Sequence, residues 1–490
     1  MPSDSVEAYE RNWNQGKGAE VFQKFLDDEA NFVDWSRSVV FLAEDHTLPL
    51  VEITVALRAG SFLEPAEQAG LASLTGALVR RGGTRFRSAD SFDDRTETLG
   101  ARIESSAGFT RSGASLSVPT WAFDEALDLF FEALASPAFE EDRLASIEAN
   151  LLESMSRRNQ DPLEVLEREW NWLVNGRQHF IGLPVTPASL GAIDRQTLIR
   201  FHQLYWRPQN MLIAVSGDFQ PEAVLRSLEQ RLEGWPSAAS GGDTSRPIPW
   251  PPEGPKLTPT PGLYHYESDV PQAKVALGAR LPREVAWISD DRFSLEVLGE
   301  ILGGTGAISR LAGRLRTAEG LVYRAAARID PGELWRGEFQ IVFDTRSDQV
   351  PRAVDLSLEE LERIRRQPVH STELEVAKQT LLGRLRLSFD TAEEIAGLQA
   401  ENELLGRPRD YWNRYLRGIE TTTAEDLMRV ARTYLEPDRL VFLVVGRWHE
   451  IAHLDRNDGS SLERITGHEI HHLPARDPLT LRDLDSDSGP

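Results

Sequence analysis

Near the C-terminus stands His468-Glu469-Ile470-His471-His472, which spells H-E-x-x-H. On a helix, two histidines four residues apart share a face and can grip one zinc ion, with the glutamate as general base. That chemistry needs a helix long enough to align both rings. Gly467 stands directly before the run and Pro474 shortly after it, leaving room for barely one turn. The expectation is therefore a tail segment packed on a domain, not a zinc site. The other histidines, His46, His179, His202, His265, His370, His449 and His453, are scattered without ligand spacing. Ser73 and Thr75 have no histidine nearby in sequence to activate a hydroxyl. The glycines at 303–306 lack the lysine and hydroxyl of a phosphate loop and read as a flexible helix–loop junction. There is no cysteine, so there are no disulfides and no thiol chemistry, and the redox compartment is left undecided.

A chain of 490 residues is too long for one core and implies two or more domains. Its net charge of −23 argues against nucleic acid or an anionic membrane as partner; an acidic surface of this kind suits basic peptides or, more often, serves only solubility. No apolar run reaches the length that crosses a bilayer. The start, M-P-S-D-S-V-E-A-Y-E-R, lacks the basic and apolar regions of a signal peptide. The expectation is a cytoplasmic protein if Met1 is the native start, and a periplasmic one if a leader has been removed.

The stretch from Gly60 to Thr84 reads as a strand end, a turn at Glu64-Pro65, a helix over Ala69 to Arg80 and a Gly82-Gly83 stop. Leu71, Leu74, Ala77 and Leu78 give that helix one apolar face. A short amphipathic segment spans Val21 to Leu26 in an otherwise polar start. Strands are expected at 38–43, 49–59, 114–118 and 211–216. Helices are expected at 121–135, 141–158, 162–174 and, opened by an aspartate cap, 194–205. Strands mixed with helical pairs point to an α+β sandwich, not a doubly wound sheet. From Trp235 to Gly262 eight prolines exclude helix and central strand, which marks a semi-rigid spacer.

The chain beyond the spacer repeats the chain before it. Tyr205-x-x-Pro208 is followed by Gly217, nine residues past the proline, and Tyr434-x-x-Pro437 by Gly446 at the same interval. Each proline leads through a polar pair into an apolar strand, Met211–Val215 or Leu440–Val445, and the offset between the copies is 229 residues. The repeat implies a duplicated architecture: an N-terminal half over 1–235, a linker over 236–262, and a C-terminal half with a tail over 263–490.

These stretches resemble the inverzincin metallopeptidases, the group of pitrilysin, insulysin and the mitochondrial processing peptidases. The likeness runs over both halves, roughly Ser38 to Arg447. Their first helix carries H-x-x-E-H between a G-S-x-x-E-P-like approach and a G-T exit. Here the approach is Gly60-Ser61-Phe62-Leu63-Glu64-Pro65, and the five motif positions hold Ser73, Leu74, Thr75, Gly76 and Ala77. Both zinc histidines and the general base are replaced. The family's third ligand, a glutamate on a later helix, corresponds to Glu153, 76 positions beyond Ala77 in a segment that ends Asp161-Pro162. Alone it cannot hold zinc, because a catalytic site needs three protein ligands around an open position. Without the resemblance Glu153 reads as a solvated helix residue beside Arg157.

The C-terminal half keeps what the N-terminal half has lost. Arg316 and Tyr323, with Gly320-Leu321 between them, match the family's R-x-x-x-G-L-x-Y element. The resemblance implies that the arginine holds a peptide carbonyl and the tyrosine hydroxyl supports the scissile carbonyl. Guanidinium and phenol are both donors suited to such an oxygen. Read without the family, they are a core tyrosine on a strand and an arginine on a helix surface.

The fold class expected is α+β, two homologous α/β sandwich halves of the processing-peptidase type. The function implied is that of a catalytically inactive subunit of a heterodimeric zinc peptidase. Arg316 and Tyr323 would be its substrate-binding residues, and zinc would sit only in a homologous H-x-x-E-H-bearing partner. No cofactor is expected in this chain. The alternatives are a structural scaffold derived from the same fold and a hydrolase that uses the tail histidines.

Overall fold

The computed structural model describes residues 32–34, 38–235, 248–252, 259–282, 289–304, 309–332, 337–389, 391–408, 410–453 and 461–484. The amphipathic segment near Val21–Leu26 and most of the proline-rich spacer lie outside the described residues.

Each half of the chain builds one six-stranded sheet. The first contains β1 (Phe32–Asp34), β2 (Ser38–Glu44), β3 (Leu50–Leu57), β4 (Arg102–Ala107), β5 (Ser112–Pro119) and β6 (Met211–Gly217), in the order β1-β2-β6-β3-β5-β4. The second contains β7 (Gly262–Glu267), β8 (Gln272–Arg280), β9 (Val322–Asp330), β10 (Glu338–Arg346), β11 (Val441–Gly446) and β12 (Ile470–Leu473), in the order β12-β7-β11-β8-β10-β9. Five strands of each sheet share one order and one set of directions. β2 runs parallel to β6 as β7 does to β11, and the next pairs are antiparallel. The repeat around Tyr205 and Tyr434 is visible here. Pro208 and Pro437 each open a short 3₁₀ turn, and each turn delivers the chain into the central strand, β6 or β11. The architecture is α+β, as expected.

β6 and β11 are buried almost throughout. Such unbroken apolar runs mean that both faces of the strand are covered. In the second sheet one cover is the Pro162–Asn175 helix, whose Val165, Leu166, Trp170 and Val174 pack on Tyr266, Ala276, Val441, Leu443 and Val445. In the first sheet it is the Ala392–Leu405 helix, whose Ala396, Ala400 and Leu404 pack on Phe41, Leu212 and Ala214. Each sheet thus borrows a helix from the other half of the sequence. The compact units are accordingly 1–151 with 187–251 and 383–413, and 152–186 with 252–382 and 414–490. Among the described residues no helix is long and apolar enough to cross a membrane.

Candidate functional site

In the first unit the helix at the motif positions runs Leu71–Arg81. Its start is capped from a distance: the Glu64 carboxylate accepts the backbone N–H groups of Gly70 at 3.0 Å and Ala72 at 2.8 Å. Burial pushes Glu64 above the usual carboxylate range, while the two N–H bonds pull the other way. Leu71, Leu74 and Leu78 are buried as expected, and Ser73 is exposed. Thr75 is fully buried, and its hydroxyl donates to the Leu71 carbonyl at 2.8 Å, which leaves it no role as a nucleophile.

Gly76 lies directly on β4. A Cβ added there would stand 2.4 Å from the Ala107 nitrogen and 2.5 Å from the Ser106 carbonyl carbon. The contact is locked by Ser105, whose hydroxyl donates to the Gly76 carbonyl at 2.6 Å and accepts the Arg80 N–H at 3.0 Å. A glutamate at position 76 therefore has no room. Glu153 is on the Glu141–Arg157 helix, exposed and 3.2 Å from the Arg157 guanidinium in a turn-to-turn pair. That is the environment of a solvated helix residue. Residues Ser73, Gly76, Ala77 and Glu153 do not fit a zinc ion. Among the described residues no three histidine, cysteine, aspartate or glutamate side chains gather as a metal-binding group.

The tail run is not helical. Gly467 ends a one-turn helix, Leu462–Thr466, and β12 pairs parallel with β7, placing His471 beside Tyr264 and His472 beside His265. Nδ1 of His472 lies 3.0 Å from Nδ1 of His265. Nε2 of His265 is 2.9 Å from the Gly446 carbonyl, so that nitrogen carries the proton. Burial holds His265 below its ordinary range. From Ile470 on the run is strand, so it is not the helix that would bring His468 and His472 to one face. Beyond β12, Arg476 is buried with its guanidinium 3.1 Å from Glu169 and paired also with Asp483. The tail packs on the second unit.

Arg316 and Tyr323 are brought together. Arg316 sits on the π-helical turn Ala312–Ala318, preceded by a two-point ion pair from Arg310 to Glu373 at 2.7 and 2.8 Å. Gly320, at φ +65°, reverses the chain, and the Leu321 N–H donates to the Leu315 carbonyl at 2.8 Å. β9 then pairs with β10 through a bulge: Val322 faces Thr345 and Ala325 faces Phe343, so Tyr323 and Arg324 together oppose Asp344. A bulge breaks the alternation of faces. Both side chains consequently point outward, Tyr323 at 81% exposure, and neither is in the core. The Arg316 guanidinium carbon stands 5.3 Å from the centre of the Tyr323 ring.

Gly303, read from sequence as part of a flexible junction, is a close-packing residue at the end of the Asp291–Gly303 helix. A Cβ there would meet the Ala327 nitrogen of β9 at 1.9 Å. Residues 305–308 lie outside the described residues. A helix glycine pressed on an outermost strand is thus common to both units, Gly76 on β4 and Gly303 on β9. Sequence reasoning missed β4 itself. Its R-I-E-S-S-A offers only Ile103 as a buried apolar side chain, too little for an alternation signal.

Residues 39–171 match the family model described as insulinase (peptidase family M16), and residues 192–381 match that of the peptidase M16 inactive domain. A "non-peptidase homolog YmxG" of Helicobacter pylori is 24% identical over 422 residues, covering 84% of this chain and 93% of that protein. The crystal structure of a peptidase M16 inactive domain from Pseudomonas fluorescens is similar with a TM-score of 0.74 at 23% identity, over 85% of this chain and 98% of that one. A chain of complex III2 from Candida albicans is similar with a TM-score of 0.65 at 15% identity, over 90% of this chain and 99% of that one.

Proposed function

Because the chain belongs to the peptidase M16 family, whose inactive domain it matches, we propose that it is the non-catalytic subunit of a two-chain zinc peptidase. The homologous partner carries the H-x-x-E-H motif and the zinc, and this chain supplies Arg316 and Tyr323 to the peptide bound there. Tyr323 donates its phenolic hydrogen to the scissile carbonyl oxygen as negative charge develops, and Arg316 donates to a neighbouring backbone carbonyl. The observation that carries the reading is the paired presentation of these donors. An aromatic side chain at 81% exposure, with an arginine held over its ring, contributes little to folding and is disposed to meet a ligand.

The test is steady-state kinetics on the mixed complex, with assembly followed by size-exclusion chromatography. Tyr323→Phe should lower turnover about a hundred- to a thousand-fold, the cost of one lost oxyanion donor, without changing assembly. A second reading, a purely structural scaffold, is favoured by the likeness in fold to a chain of complex III2. It would be adopted if a correctly assembled Tyr323→Phe, Arg316→Ala variant kept full activity.

A further inference from the structure

In the second unit the π-helical turn Ala312–Ala318, the end of the Val350–Arg366 helix and the start of the Ser371–Leu387 helix border a cleft of about 440 Å³. A π-helical turn is rare and recurs at functional sites. The charged lining is Arg310, Arg314, Glu360, Arg363, His370 and Glu373. Glu373 is taken up by its two-point pair with Arg310, yet Arg310 Nη1 is buried with no hydrogen-bond partner among the described residues. Arg314 reaches only Glu359 at 3.4 Å and Glu319 at 3.5 Å, contacts that hold weakly at a surface. Glu360 is 5% exposed, and its one polar contact among the described residues is Arg363 at 3.4 Å, a largely exposed side chain. A buried carboxylate with so little support is costly unless another donor reaches it. His370 accepts the Thr372 N–H at Nδ1, so in the neutral ring its proton is on Nε2. The cleft therefore holds one underused acceptor and several underused donors. Three arginines against two glutamates leave the lining one positive charge in excess.

We propose that this cleft binds a free acidic α-amino acid, with its ammonium on Glu360 and its two carboxylates on the arginines. Simpler ligands leave part of the lining opposed. An inorganic anion or a plain dicarboxylate would bring negative charge to Glu360 with no positive group to meet it. A plain amine would face three guanidinium groups. An α-amino acid answers both signs at once, and a second carboxylate on its side chain matches the excess positive charge. Guanidinium forks suit carboxylates in geometry as well as charge. The volume falls at the small end of the range for small-molecule sites. The cleft shares its π-helical turn with Arg316, but the binding needs neither zinc nor a partner chain and does not rest on the proposed function.

The experiment is isothermal titration of the full chain with L-glutamate, with glutarate, which lacks the ammonium, with L-glutamine, which lacks the second carboxylate, and with inorganic phosphate. L-glutamate should bind one per chain and about tenfold or more tightly than each of the others, the worth of one charge-assisted contact. Glu360→Gln, nearly unchanged in size, should weaken L-glutamate about tenfold or more and narrow its lead over glutarate. Gly313→Leu tests the place without touching a charge. A Cβ at Gly313 meets nothing within 4 Å, so the variant should fold, fill the cleft and abolish binding. It keeps the test decisive should Glu360→Gln not fold. Absence of binding by the parent chain, equal binding of glutarate or phosphate, or undiminished L-glutamate binding in Gly313→Leu or in a folded Glu360→Gln would overturn the proposal. Tyr323→Phe kinetics in the mixed complex is a separate measurement, so either idea can fail without the other.

Discussion

Arg316 and Tyr323 are joined across the Gly320 reversal, with the guanidinium carbon 5.3 Å from the ring centre. A helix side chain thereby orients a strand side chain that has almost no other support. At an exposed site such a contact contributes about 0.5–1 kcal/mol. The two residues should therefore behave as a coupled pair. Tyr323→Phe keeps the ring and removes only the hydroxyl, whereas Arg316→Ala removes a peptide anchor and also frees the ring. Arg316→Ala should raise KM of the mixed complex and lower kcat, while Arg316→Lys should keep much of kcat. A double-mutant cycle on kcat/KM should give less than the sum of the single effects; strict additivity would mean that the contact has no functional role.

Rebuilding the lost motif should fail at its fourth position. Ser73→His is on an exposed position and Ala77→His on a half-buried one, so both should fold. Gly76→Ala should cost about 1–3 kcal/mol as an overpacked contact, because its methyl would stand 2.4 Å from a backbone nitrogen of β4. Gly76→Glu should cost more. Thermal melts of the single variants check this, and a Gly76→Ala protein that melts with the parent would show that β4 yields easily.

Acid should weaken the first unit through His202. Its ring is buried, with Nε2 2.8 Å from the Leu134 carbonyl, and burial pushes it down to about 4. The unfolded chain takes up that proton near 6.5, and the folded chain refuses it until about pH 4. Stability is thus fully present above 6.5 and declines as pH falls from 6.5 to 4, by about 2 kcal/mol at pH 5. His179, in the second unit and also pushed down to about 4 by burial, acts in the same direction there. Denaturant unfolding at pH 7 and pH 5 should show the loss, and His202→Gln should shrink it even if the variant is less stable at both. An unchanged pH dependence in that variant would remove His202 from the account.

The purified chain alone should hydrolyse no peptide and bind no stoichiometric zinc. The H-E-x-x-H letters run from a bend into β12, where His472 is occupied with His265 at 3.0 Å. Tight zinc at one per chain in elemental analysis, lost in His468→Ala, would revive the tail as a site.

Much of the first helix is readable in the sequence because its signals are local: leucines at helical spacing, a glycine stop and a Glu64-Pro65 approach. The repeat is readable because Tyr-x-x-Pro and its following glycine mark one turn into one strand. Arg316 and Tyr323 stand out as a spaced pair, but their contact and the exposure of the ring depend on a bulge. A bulge is a matter of pairing between β9 and β10, and R-A-A-A-R carries no local mark of it. By sequence Gly76 and Gly303 look like a missing base and a loosened junction. What they do, admit a neighbouring strand to within contact of the helix backbone, is fixed by residues far away in sequence. The borrowed helices are likewise invisible, since Pro162–Asn175 and Ala392–Leu405 show their apolar faces without naming the sheet that receives them.

That exchange sets an order of assembly during synthesis. The Pro162–Asn175 helix is made before any strand of the sheet it covers, so it is waiting when β7 to β11 emerge. The first sheet has the opposite history. Its last strand, β6, is complete about 175 residues before the Ala392–Leu405 helix begins, which at about 5–20 residues per second is roughly 9–35 s on the ribosome. Throughout that interval Phe41, Leu212 and Ala214 lack their cover. Until then one apolar face of an otherwise finished sheet stands open to water, which is the kind of surface that makes a nascent chain prone to association.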